Sequence, residues 1–71
     1  MTDEEWEKLR PFAIAWDVEC AKMRDLICQV PPDDLRRRTE MRFQISDATR
    51  RAKLAESALE DARNDLLMGK L

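Results

Sequence analysis

A seven-residue beat of apolar side chains runs through both halves of this chain and is broken once, between residues 30 and 34. In the first half Trp6, Leu9, Ala13, Trp16, Cys20, Met23, Ile27 and Val30 follow gaps of three and four. That spacing puts them on one stripe of an α-helix, whereas a strand would need alternation at every second residue. In the second half Met41, Ile45, Ala48, Ala52, Ala55, Leu59, Ala62 and Leu66 repeat the pattern without a slip. Between the two runs, Val30-Pro31-Pro32-Asp33-Asp34 interrupts the helix, because a proline disfavours helical backbone in the residue before it. The fold class that follows is all-α. Residues 1–71 form a single antiparallel two-helix hairpin of coiled-coil character, with one helix over about 3–29, a hinge at 30–33 and a second helix over about 33–68.

Local signals set the ends. Thr2 followed by Glu5 predicts a capping box, in which the hydroxyl accepts from the Glu5 N–H and the Glu5 carboxylate reaches back. Asp3 and Glu4 suit the positive end of the helix dipole. Pro11 removes one backbone bond, but it falls opposite the Trp6 and Leu9 stripe, so the pattern predicts one bent helix rather than two. The second helix opens near Pro32 or Asp33 and stops at Gly69; if both helices start at the hinge, it overhangs its partner at the far end. Ser46-Asp47 offers an alternative cap for a third helix, against which the unbroken phase from Met41 to Leu66 argues.

The predicted seam joins Leu9, Ala13, Cys20, Met23 and Ile27 to Ile45, Ala48, Ala52, Ala55, Leu59, Ala62 and Leu66. Alanines recurring every seventh residue allow close helix approach, and the bulk of Trp6, Trp16, Met23 and Ile27 can fill the groove they leave. One interface does not hide everything. Phe12, Ile14, Val18 and Leu26 on the first helix, and Leu35, Phe43, Leu54, Leu67 and Met68 on the second, lie off the seam. A chain this short also seldom gains more than roughly 3–5 kcal/mol from its own core. Homodimerisation into a four-helix bundle is the expected remedy, and a monomer that waits for its target is the alternative.

Catalytic equipment is thin. The chain has no histidine, no tyrosine and a single glycine, Gly69, so the commonest general base is missing and no phosphate-cradling loop can form. Cys20 and Cys28 are eight residues apart on one helix, about 12 Å along the axis, too far to bridge within a chain. Reduced thiols, no cofactor, no metal and no enzymatic activity are the expectation. No apolar run is long enough to span a bilayer and the acidic N-terminus lacks a signal-peptide pattern, so the expected location is cytoplasmic, with no membrane partner.

The charge pattern is more suggestive than the net charge of −2. Residues 1–34 carry nine acids against four bases, and residues 35–54 carry seven bases against two acids. Arg36, Arg37, Arg38, Arg42, Arg50 and Arg51 are candidate contacts for an acidic protein or for nucleic-acid phosphates, although they scatter around the helix and only some can face one ligand. Pairing with the chain's own acids is the plain alternative. Trp6, Phe12 and Trp16 are either core or partner-binding residues, tryptophan being enriched at binding hot spots. Taken together, the sequence predicts a small non-enzymatic regulator, an adaptor or inhibitor occupying a surface of a larger protein. A phage-borne or plasmid-borne antagonist of a cellular machine fits that description. A nucleic-acid-binding bundle and a component of a coiled-coil assembly are the alternatives.

Overall fold

The computed structural model describes residues 1–70. Two helices, α1 (Asp3–Ile27) and α2 (Leu35–Leu67), pack along each other as a hairpin, with no strand among the described residues. The molecule is a rod of 52 × 17 × 12 Å. Its radius of gyration, 16.3 Å, well exceeds the roughly 11 Å of a compact chain of this length, so little of it lies far from water.

Thr2 caps α1, its hydroxyl accepting from the Glu5 N–H at 3.2 Å, and Asp3, Glu4 and Glu5 fill the first turn. The return half of the expected capping box is not made among the described residues. The helix continues through Pro11, which is exposed and costs one bond on the solvent side. It stops at Ile27 with Cys28 as cap, two residues before the expected end. The Pro31-Pro32 pair requires extended backbone just upstream, which leaves Gln29 to turn the chain.

The second helix also starts later than expected, at Leu35. Asp34 is the cap, its carboxylate accepting from the Arg36 N–H at 3.4 Å, and an aspartate does this where a proline has no side-chain acceptor to offer. The helix runs unbroken past Ser46 and Asp47, so the third-helix alternative is not realised. Its C-terminus closes in a Schellman motif. The Lys70 N–H donates to the Asp65 carbonyl at 2.7 Å and the Gly69 N–H to the Leu66 carbonyl at 3.1 Å, with Gly69 at φ 75°.

The buried residues are Leu9, Ala48, Ala52 and Ala62. Around them Met41, Ile45, Ala55, Leu59 and Leu66 are half-buried, so the side of α2 that carries the seven-residue beat is the side α1 covers. The covered side of α1 is turned from the predicted stripe. Phe12, Glu19, Leu26 and Met23 are half-buried with Ala13 and Cys20, whereas Trp6, Ile27 and Val30 are exposed. Two apolar stripes flank the line through Leu9, Trp16 and Met23, and the larger pair, Phe12 and Leu26, is half-buried, while the small residues of α2 lower the bulk on the opposing side.

The helices also differ in length, about 37 Å for α1 and about 50 Å for α2 at 1.5 Å per residue. Lys22, Asp25 and Gln29 share a shallow groove with Arg51, Asp47 and Gln44, which sets their register. Extending that register at equal rise brings the first turn of α1 level with the last turn of α2. The overhang therefore lies at the hinge end, over roughly residues 35–45, and not at the far end; the hinge takes up the difference by running back beside the start of α2.

Candidate protein-binding surfaces

Twelve large apolar side chains are exposed among the described residues, three times the number of buried apolar residues. Six of them fall into three groups. Ile14 and Val18, with Pro11 one turn earlier, follow helical spacing on the side of α1 turned away from α2. Phe43 and Leu54 stand on the outward side of α2, and the charged Asp47–Arg50 pair separates them. Trp6 and Ile27 belong to the third group: with Ala13 and Cys20 they recur every seven residues and share one flank of the seam.

That flank ends in an open groove of about 570 Å³ beside the hinge. Ile27 and Pro31 line it from one side and Leu35, Met41 and Ile45 from α2, with Arg38 and Arg42 completing the lining. The groove exists because α1 ends before α2 does. Nothing in the periodicity announces it, since it depends on where the chain turns.

Trp6 and Trp16, predicted as core or contact residues, are 46% and 38% exposed, while Phe12 lies half-buried at the helix interface. The arginines divide. Arg36 pairs with Glu40 at 3.3 Å and Arg50 with Asp47 at 3.6 Å, both within one helix and both well exposed, so each contributes at most about 1 kcal/mol. Arg38 has a structural task. Its Nε donates to the Pro32 carbonyl at 3.2 Å and its Nη2 to the Asp33 carbonyl at 3.1 Å. Arg37, Arg42 and Arg51 have no carboxylate partner among the described residues, and neither has Lys53.

One polar group inside the seam is unusual. Glu19 touches Lys22 through Oε1 at 3.5 Å, but its Oε2 is buried without a hydrogen-bond partner. Among the described residues no group of three or more histidine, cysteine or carboxylate side chains is gathered for a metal ion. None of the described helices is long and apolar enough to cross a membrane. Cys20 is half-buried and Cys28 exposed, both as free thiols.

Comparison with protein-family models, curated proteins and solved structures finds no match to this chain. Its functional reading rests on its own surfaces.

Proposed function

We propose that this chain is a non-enzymatic, protein-binding regulator, an adaptor or inhibitor, that pairs with a second copy in a four-helix bundle and occupies a surface of a larger partner. The observation that carries this reading is the excess of exposed over buried apolar side chains. Exposed apolar surface of this extent on so thin a rod is a binding surface awaiting cover. Two separate faces suit two occupants. The flank with Trp6 and the hinge groove is left for the second copy, and the outward ridge of Pro11, Ile14 and Val18 is left for the larger protein, which would read it as an amphipathic helix is read in a groove. An antagonist of a cellular machine, of phage or plasmid type, is one form such a regulator takes.

The test uses the chain as bait. A protein retained by the wild-type chain should be released by the Ile14→Glu, Val18→Glu variant, with helix content unchanged by circular dichroism. Retention that ignores these substitutions, or no retention at all, would refute the reading.

A second reading is supported by the unpaired cations Arg37, Arg42, Arg51 and Lys53. If they hold phosphates, affinity for a single- or double-stranded oligonucleotide falls log-linearly with salt, and an Arg37→Glu, Arg42→Glu, Arg51→Glu variant loses binding. Absence of binding at low ionic strength dismisses that alternative.

A further inference from the structure

We infer that two copies of the hairpin dock antiparallel, each placing Trp6 in the hinge groove of the other. This deepens the self-association proposed above and rests on it. Trp6 and Ile27 are three heptads apart, so the exposed indole and the groove that Ile27 lines belong to the same flank of the rod, at opposite ends. A two-fold axis across the middle of that flank superposes the two features reciprocally. It passes midway between residue 6 and the groove, close to Trp16 and Cys20, which are themselves incompletely covered.

Charge selects this direction over the parallel one. Residues 1–10 around Trp6 carry four acids (Asp3, Glu4, Glu5, Glu7) against Lys8 and Arg10. The groove is lined by Arg38 and Arg42, and its neighbourhood, residues 27–45, carries four arginines against Asp33, Asp34 and Glu40, so the first end is net acidic and the second net basic. Antiparallel docking brings the acidic end of each copy to the cationic groove of the other. Parallel docking sets acids against acids and arginines against arginines, and like-charge juxtaposition at an interface is unfavourable. The broad face of the rod, 52 × 17 Å, sets an upper limit on the order of 900 Å² in projection, which leaves room for the ~800 Å² per partner of a specific interface. The groove fits an aromatic anchor, with apolar walls from Ile27, Pro31, Leu35, Met41 and Ile45.

Cross-linking with a short bis-maleimide tests the arrangement. One preparation carries Cys20→Ser alone, keeping Cys28 beside the groove; the other carries Asp3→Cys, Cys20→Ser and Cys28→Ser, placing its thiol beside Trp6. Mixed, they should give cross-linked heterodimers, with little product from either alone. Cross-linking of each preparation with itself, and none between them, overturns the antiparallel docking while leaving self-association standing. Sedimentation separates the two failures: a wild-type chain that stays monomeric at every concentration removes self-association itself. Trp6→Ala should raise the dimer dissociation constant at least about tenfold, as for a buried tryptophan anchor, without lowering helix content. An unchanged dissociation constant would refute the role given to Trp6.

Discussion

Arg38 clasps the hinge of its own chain: Nε donates to the carbonyl of Pro32 at 3.2 Å while Nη2 donates to that of Asp33. A guanidinium fork satisfies two carbonyls that the turn leaves without backbone partners. Arg38→Ala should lower the stability of the hairpin by about 1 kcal/mol, less than a buried charged hydrogen bond because the site is exposed. Arg38→Lys should recover only part, since a single ammonium cannot reproduce the fork. Thermal unfolding followed by circular dichroism reads both.

Ala48 is 3% exposed at the helix contact, so a larger side chain there must displace close-packed neighbours. Ala48→Leu should cost about 1–3 kcal/mol through overpacking. Ala58→Leu, on an exposed position of the same helix, is the matched control and should change the melting temperature little. Equal effects would contradict the close approach of the helices.

Glu19 offers a prediction of opposite sign. A carboxylate oxygen buried without a hydrogen-bond donor is destabilising, and the Lys22 contact at 3.5 Å serves the other oxygen. Glu19→Leu should therefore raise stability, by about 1 kcal/mol, because it removes the orphaned acceptor and extends the apolar seam between Phe12 and Leu26. Denaturant midpoints of the two proteins decide it, and a lowered midpoint would mean that the carboxylate finds a partner in solution.

Gly69 ends α2 with φ 75°, and an added Cβ would meet nothing within 4 Å. Space is not the constraint. Gly69→Ala should still lose about 1 kcal/mol, from left-handed backbone that alanine adopts at a cost. The signature is a lower melting temperature together with fraying confined to the last turn by NMR.

The hairpin was legible because two independent signals agreed: a seven-residue beat on each side and a double proline between them. The side of α2 that faces inward was equally plain, since its small residues recur at one phase. In α1 the phase was ambiguous. Trp6, Ala13, Cys20 and Ile27 form one stripe and Phe12, Glu19 and Leu26 another, both adjoining Leu9 and Met23, and the acid at position 19 disguised the one that is covered. Packing volume settles this, and volume across an interface has no pattern within one helix. The groove and the grip of Arg38 were likewise hidden, because both depend on how far α1 runs before the chain turns. The ridge of Ile14 and Val18 did show itself, as apolar surplus off the seam.

The unequal lengths of α1 and α2 make the two ends of the rod respond differently to thermal agitation. Amide protons of roughly residues 37–44 have no helix across from them, whereas those of 48–62 lie under α1. Hydrogen exchange on the unpartnered chain should proceed as a wave from the hinge inward, fast over the former stretch and slow over the latter. Occupation of the groove by another chain would then be visible as a selective slowing of the early wave, a local clock for assembly built into the backbone.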